Sequence, residues 1–263
     1  MPAVATETQE YQRPRGRGIF LLPNLLTTGC LFSGFYAVVA AIDNHFNYAG
    51  AAIFIAMVFD TLDGRIARLT HTESAFGKEY DSLADMLSFG VAPGIVAYQW
   101  GVVRIAEYGH PWGRFGWLAC FFYVAAAALR LARFNARAAV ADKRYFEGLP
   151  SPSGAAIVAA FVWFVSDWHE PGLVGLICAF IITASAGALM VSRFGYPSFK
   201  QFHLDRRIRF IYMVLVPVVF MLIAIDPPTM LLSMFGTYAL SAPLLWVGRR
   251  LRRMLRGAPT PGG

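Results

Sequence analysis

Long apolar runs recur along the whole chain, and they limit the structures that it can form. A helix needs about 20 consecutive apolar residues to cross the hydrocarbon core of a bilayer. The runs lie near residues 19–42, 48–68, 82–103, 113–132, 153–168, 171–191, 208–225 and 228–247. Because 57% of the residues are hydrophobic and only 15% are charged, against about 25% charged in a soluble domain, a bilayer is the expected solvent. The sequence therefore predicts an all-α fold, a polytopic transmembrane helical bundle of about eight spans, counted as six core spans plus two. Because the fifth run is short, six or seven spans are the alternatives.

The basic residues are distributed unevenly among the segments that join these runs. If the N-terminus lies inside and the number of spans is even, the outer segments contain only Arg104 and Arg114. The positive-inside rule predicts this asymmetry, so we expect both termini in the cytoplasm. The net charge of +7 then reflects membrane topology, and membrane lipids rather than nucleic acid are the expected partners.

Composition divides the chain into three parts. Residues 1–18 are polar and are expected to form a flexible cytoplasmic tail rather than a cleavable signal peptide. Residues 19–247 are expected to form the transmembrane domain. Residues 248–263 are rich in arginine and are expected to form a basic cytoplasmic tail beside the anionic leaflet.

Four aspartates flank one turn between the second and third runs: Asp60, Asp63, Asp81 and Asp85. The first two are three residues apart and the last two are four apart, so each pair shares one face of a helix. An antiparallel helical hairpin can direct all four carboxylates into one pocket near the cytoplasmic interface. Such like charges repel one another without a cation, and all-oxygen clusters suit hard divalent ions. We therefore expect Mg²⁺ or Mn²⁺, and four carboxylates are enough to hold two ions.

Two glycines and one arginine beside the aspartates favour a bulky anionic ligand. Gly64 and Gly77 let a ligand approach the helix backbone, and Arg68 offers a planar donor group to phosphate or base oxygens. The alternative is a purely structural helix end, in which Arg65, Arg68 and Lys78 neutralise the aspartates. Charged groups at membrane depth are costly, so a functional site is the preferred interpretation.

The segment from Asp60 to Asp85 matches the pattern D-x-x-D-G-x-x-A-R, eight residues, G-x-x-x-D-x-x-x-D without a departure. This pattern resembles the signature of the CDP-alcohol phosphotransferase family. The resemblance implies an integral-membrane homodimeric enzyme that uses a CDP-linked donor, a hydroxyl acceptor and a divalent metal, and that releases CMP. It implies metal ligation by Asp60, Asp63, Asp81 and Asp85, with Asp85 also the general base. It implies contacts to the cytidine diphosphate from Asp60, Gly64, Arg68 and Gly77.

Two later segments narrow the expected acceptor. They begin at Arg130 and Phe146 and read R-L-A-R-F-N and F-E-G-L-P-S-P-S-G. Together with the opening P-N-L-L-T-T they resemble the membrane-embedded phosphatidylserine synthases of bacteria. This resemblance implies CDP-diacylglycerol and L-serine as substrates, in the cytoplasmic (inner) membrane with the active site facing the cytoplasm. The candidates for binding serine or the lipid phosphate are Arg130, Arg133, Asn135, Ser151 and Ser153.

Other functions stay open at this stage. The same signature serves enzymes with a different acceptor, such as glycerol 3-phosphate, inositol phosphate or choline, and enzymes in which a soluble CDP-alcohol is the donor. A divalent-cation or solute transporter would also place aspartates in a helical bundle. A transporter would need charged groups near the midplane and a repeat between two halves, whereas these aspartates lie at one end of the bundle.

Overall fold

The computed structural model describes residues 21–105, 110–137, 145–166, 172–197 and 209–256. The predicted tail at residues 1–18 and the last residues of the predicted basic tail, 257–263, lie outside these ranges. The helices are α1 (Leu21–Ile42), α2 (Phe46–Thr70), α3 (Ala75–Asp85), α4 (Ala92–Ala97), α5 (Val103–Ile105), α6 (His110–Arg137), α7 (Ser151–Ser166), α8 (Leu173–Val191), α9 (Arg209–Ile225) and α10 (Pro227–Arg256). Helix α10 includes residues 248–256, so this part of the predicted basic tail is helical.

The helices confirm the predicted all-α class, since each predicted span overlaps helical residues. Four helical segments in the described part of the chain are long and apolar enough to cross a bilayer: Leu21–Ile42, Gly113–Ala136, Leu173–Val191 and Pro227–Gly248. Their exposed leucine, isoleucine and phenylalanine side chains would be costly in water and suit lipid. The chain is therefore an integral membrane protein. The count of eight spans and the orientation of the termini stay predictions.

The third predicted span is one helical stretch with two wider turns in it. A π-helical segment, π1 (Met86–Val91), joins α3 to α4, and a second one, π2 (Tyr98–Val102), joins α4 to α5. Pro93 lies two residues beyond the end of π1 and carries no N–H group. In an α-helix that N–H would bond to the carbonyl of Phe89, so the proline favours a wider turn here.

Small residues let the helices pack closely around the centre of the bundle. Helix α1 packs along α2 through alanines that are almost fully buried, such as Ala37 and Ala49. Helix α7 is buried along most of its length and contacts α2, α8 and α10. Close backbone approach of this kind gives the van der Waals contact that holds helices together in lipid.

A two-stranded antiparallel ribbon, absent from the sequence prediction, joins the segment before α7 to the segment after α8. Strand β1 (Tyr145–Glu147) pairs with β2 (Gly195–Pro197). Directly after β1, the Gly148 N–H donates to the carbonyl of Phe194 at 2.9 Å, and the Leu149 N–H donates to the carbonyl of Leu189 at 3.0 Å. These bonds connect the beginning of α7 to the end of α8. Alternation is too short in three-residue strands to be detected in the sequence.

We expect Gly148→Ala to destabilise the protein. Gly148 has φ +80°, and a Cβ there would collide with the carbonyl oxygen of Met190 and lie 3.0 Å from that of Ser192. The left-handed backbone alone costs a residue with a side chain about 1–3 kcal/mol. The thermal midpoint in detergent should fall by several degrees. Gly236→Ala is the matched control, since its Cβ would meet nothing within 4 Å and it lies in a helix. Equal midpoints for the two variants would contradict the prediction.

Candidate active site

The turn between α2 and α3 is closed from both sides. His71 ends α2 in the left-handed conformation, with φ 53°, and its N–H bonds back to the last turn of the helix. Ser74 caps the beginning of α3, where its Oγ accepts from the N–H of Gly77 at 2.9 Å. Both ends of this short turn are satisfied, and α2 and α3 each pack against α1 rather than along each other. The two predicted helices and their turn are therefore present, without the close antiparallel packing that the sequence analysis expected between them.

Three of the four aspartates meet across this turn. One carboxylate oxygen each from Asp60, Asp63 and Asp81 lies within 4.8 Å of the other two. The Asp85 carboxyl lies next to that of Asp60, and its Oδ1 is buried with no hydrogen-bond partner. Carboxylates this close need a cation or a shared proton, and hard divalent ions prefer such all-oxygen sites. The residues present fit the expected metal.

Helix α1 contacts Asp63, the least exposed of the four aspartates, through a hydrogen bond that the sequence analysis did not predict. The Thr27 hydroxyl donates to Asp63 Oδ2 at 2.8 Å, and it also lies 3.1 Å from the carbonyl of Pro23. Asp63 is only 4% exposed, so its buried side is satisfied by a hydroxyl rather than by a cation. The polar residues Asn24, Thr27 and Thr28 share one face of a mostly apolar helix. This spacing was the sequence signal that could have predicted a polar contact between α1 and the aspartates.

An open pocket lies next to the aspartates, between the beginning of α1 and the α2–α3 hairpin. Its volume is about 460 Å³, which is in the range of small-molecule sites. Gly64, Arg68 and Gly77 all line it, beside Asp63 and Asp81. The pocket wall also includes residues that the sequence analysis did not assign to it, namely Asn24, Thr72, Glu73, Ser74 and Lys78. Asp60 is not part of the wall.

The glycines keep this pocket open. A Cβ on Gly77 would lie 3.1 Å from Ser74 Oγ and 3.4 Å from Asn24 Oδ1. A Cβ on Gly64 would lie 3.5 Å from an Arg68 Nη atom. Arg68 is exposed, and its charge acts on Asp63. An anion in the pocket could therefore contact the Arg68 guanidinium on one wall and the exposed backbone of Gly64 or Gly77 on another.

The five residues predicted to bind the acceptor do not form one cluster. Arg130 Nη1 donates to Ser151 Oγ at 2.8 Å, which links α6 to the beginning of α7. Arg133 Nη1 instead lies 3.4 Å from the carbonyl of Val191, at the end of α8. Asn135 Nδ2 donates to Ser82 Oγ on α3 at 3.0 Å. Ser153 is buried two residues beyond Ser151, on a different face of α7.

Of the five residues predicted to bind the acceptor substrate, Arg130 is the one whose charge interacts with an aspartate of the cluster. Its charge interacts with that of Asp85, and its Nε is buried with no hydrogen-bond partner. A buried guanidinium N–H without an acceptor is costly, and a bound anion would satisfy it. The Arg130–Ser151 pair therefore offers a polar site on the α6–α7 side of Asp85, whereas the open pocket lies on the α1–α2–α3 side.

Comparison with known proteins gives consistent results. Residues 20–192, which include α1 to α8, match a family model described as CDP-alcohol phosphatidyltransferase. A protein of Helicobacter pylori named "CDP-diacylglycerol--serine O-phosphatidyltransferase" is 34% identical over 232 residues, which cover 87% of this chain and 92% of that protein. Proteins of the same name from Saccharomyces cerevisiae and Methanocaldococcus jannaschii are 37% and 34% identical, over 51% and 57% of this chain and 50% and 63% of theirs.

We expect Thr27→Val to weaken metal binding. The substitution keeps the shape of the side chain but removes the hydroxyl that orients Asp63. Loss of a group that orients a metal ligand typically lowers metal affinity about 10- to 100-fold. Titration of the purified protein with Mn²⁺, followed by the electron paramagnetic resonance of the free ion, measures the change. Thr27→Ser keeps the hydroxyl and should bind Mn²⁺ as the unchanged protein does. Equal affinity in Thr27→Val would contradict the assigned role.

Proposed function

The chain belongs to the CDP-alcohol phosphatidyltransferase family, and we propose that it transfers the phosphatidyl group of CDP-diacylglycerol to the hydroxyl of L-serine, with release of CMP. The observation that carries the proposal is the similarity to the H. pylori protein of that name, which extends over 92% of its length. The cluster of aspartates beside an open pocket supports the same chemistry. Family membership favours a transferase over the transporter that the sequence left open.

The metal site in this proposal consists of Asp60, Asp63, Asp81 and Asp85. Three of their oxygens lie close enough to share one ion, and the unpartnered Asp85 Oδ1 offers a ligand position for a second. Mg²⁺ or Mn²⁺, when bound, supplies positive charge that stabilises the pyrophosphate and the transferring phosphoryl group. The aspartates repel one another, so the packing of the surrounding helices has to keep them in position.

The pocket between α1 and the α2–α3 hairpin binds the cytidine diphosphate part of the donor in this proposal. Arg68 pairs with phosphate or base oxygens, while Gly64 and Gly77 give the nucleotide access to the backbone. Asp60 would contribute from the metal side. The acyl chains of the donor can stay in hydrocarbon because the site is part of a membrane protein.

Asp85 is the proposed general base. It lies between the nucleotide side of the site and the Arg130–Ser151 pair, and its Oδ1 is free to accept a hydrogen bond. The serine hydroxyl would give its proton to Asp85 while its oxygen bonds to the phosphorus of the phosphatidyl group. The bond from that phosphorus to the CMP oxygen breaks, and CMP leaves with the bonding electron pair. Positioning and electrostatics supply most of the rate enhancement in such transfers.

The Arg130–Ser151 pair is the proposed site for the serine carboxylate or the lipid phosphate. A planar guanidinium recognises either anion with two parallel N–H groups, and the unpartnered Nε leaves one of them free. Arg133, Asn135 and Ser153 would act around this pair, with Asn135 connecting α6 to α3 through Ser82. Acceptors such as glycerol 3-phosphate carry more negative charge and would need more cationic groups than this pair provides.

The cellular setting is part of the same proposal. The protein would lie in the cytoplasmic membrane of a bacterial-type cell, with both termini and the active site on the cytoplasmic side, where the positive-inside rule places the arginine-rich segments. It would act as a homodimer through its membrane helices. The donor would then meet its soluble acceptor at the inner surface of the membrane.

The first experiment is a CMP-release assay with the purified protein in mixed micelles. CDP-diacylglycerol and Mn²⁺ or Mg²⁺ are combined with serine, glycerol 3-phosphate, inositol phosphate or choline. We expect release with serine, none after chelation of the metal, and a loss of at least about 100-fold in Asp85→Asn, because a positioned base contributes about 10²–10⁴-fold. Asp226→Asn, which changes an aspartate at the beginning of α10, is the control and should keep its activity. Release with another acceptor alone would refute serine as the substrate.

A second experiment separates the acceptor side from the donor side. Ser151→Ala and Arg130→Lys remove one hydrogen bond and the planar donor group, respectively. Because a hydrogen bond to a charged group contributes about 1.5–3 kcal/mol, we expect the KM for serine to rise about 10-fold or more while the KM for CDP-diacylglycerol changes little. Arg193→Lys, at an exposed arginine just beyond α8, should change neither KM. A rise in the KM for the lipid instead would assign the pair to the lipid phosphate.

A further inference from the structure

The helix that carries Asp85 changes its geometry at the next residue. Segment π1 begins at Met86, and its wider turn is visible in the bond from the Ala92 N–H to the carbonyl of Leu87, five residues back. Pro93 has no N–H to offer the carbonyl of Phe89, four residues before it. Phe89 is fully buried, so that carbonyl needs another donor.

Tyr123 supplies this donor from α6. Its hydroxyl donates to the carbonyl of Phe89 at 2.9 Å, and the ring is fully buried. A side chain from a neighbouring helix therefore completes the backbone of π1, as is common where proline interrupts a helix in a membrane. Phe89 is four residues from Asp85, about one turn along the same helix. The bond thus restrains the helix one turn beyond the aspartate.

Helix α1 restrains π1 from the opposite side. Ser88 Oγ donates to the carbonyl of Cys30 at 3.0 Å, and both residues are buried. A Cβ on Gly34 would collide with the Ser88 side chain and lie 2.8 Å from Ser88 Cα, so the two backbones are in direct contact. Rotation of π1 is therefore blocked by α1 on one side and by the Tyr123 bond on the other.

We propose that Tyr123 is a positioning residue, and that its bond to the Phe89 carbonyl holds π1 in the geometry that directs Asp85 toward the other three aspartates. An α-helical turn in place of the wider π turn would rotate Asp85 relative to the residues after it. A displacement of about 1 Å at a catalytic group can lower a rate about 100-fold. The inference rests on the role of Asp85 in the proposed function.

The test compares two tyrosines with matched environments. Tyr123→Phe removes the hydroxyl that donates to Phe89, and Tyr196→Phe removes one that is equally buried and donates to the carbonyl of Ala239 on α10, also at 2.9 Å. We expect Tyr123→Phe to lower kcat for CMP release about tenfold or more, with both KM values within about twofold, and to weaken Mn²⁺ binding. Tyr196→Phe should show a similar fall in thermal midpoint with unchanged kcat and Mn²⁺ affinity.

The outcomes are distinct. Loss of kcat in Tyr123→Phe alone supports the proposal, and an unchanged Mn²⁺ affinity would then assign the effect to proton removal rather than metal binding. Equal losses in both variants, or none in Tyr123→Phe, would overturn it. A rise only in the KM for serine would also overturn it, because Tyr123 lies near Arg130 and would then act through that residue. No CMP release by the unchanged protein would instead refute the proposed function.

A second pair of variants covers the case in which Tyr123→Phe does not fold. Ser88→Ala removes the bond from π1 to α1 and should lower kcat in the same way. Pro93→Ala added to Tyr123→Phe restores a backbone N–H for the Phe89 carbonyl. We expect this double variant to fold and to recover thermal midpoint without recovering kcat, because the α-helical turn replaces π1. Full recovery of kcat would show that the tyrosine only stabilises the fold.

Discussion

The repulsion among four carboxylates packed at one end of an apolar bundle is the constraint on which the rest of the structure depends. A cation can offset their charge, but the ligand oxygens have to be held within a few ångströms before it binds. Helix α1 provides much of this support. Thr27, Cys30 and Gly34 follow one another at helical spacing, so one face of α1 contacts Asp63 on α2 and Ser88 on π1. An otherwise apolar helix thereby fixes both of the helices that carry the aspartates.

Asp85 connects two chemically different halves of the site. The open pocket lies on the α1–α2–α3 side, and its glycines and Arg68 suit a nucleotide. The Arg130–Ser151 pair lies on the α6–α7 side and suits a small anion. Gly148 and Leu149 set the beginning of α7, and therefore the position of Ser151, by bonding to the last turns of α8 and the residues just after it. In the proposed reaction, a donor in the pocket and an acceptor at the Arg130–Ser151 pair would meet at the carboxylates.

Much of this organisation could be predicted from the sequence because the relevant patterns are local. The apolar runs predicted the helices, and the spacing of the four aspartates predicted that they share a hairpin, since both depend on one helical period. The partners of Asp63 and Phe89 could not be predicted in the same way. Thr27 is 36 residues from Asp63 and Tyr123 is 34 residues from Phe89. Contacts at that separation depend on how the helices pack.

The residues predicted to bind the acceptor show most clearly which features follow from the sequence and which depend on the tertiary structure. The sequence by itself determined that this is a helical membrane protein with an acidic site at the α2–α3 turn, because hydrophobic length and carboxylate spacing act within one segment. Only the tertiary structure decided that Arg130 meets Ser151 while Arg133 and Asn135 turn to α8 and α3. Residues a few positions apart on one helix point in different directions, and what each one meets is settled by the neighbouring helix on that side.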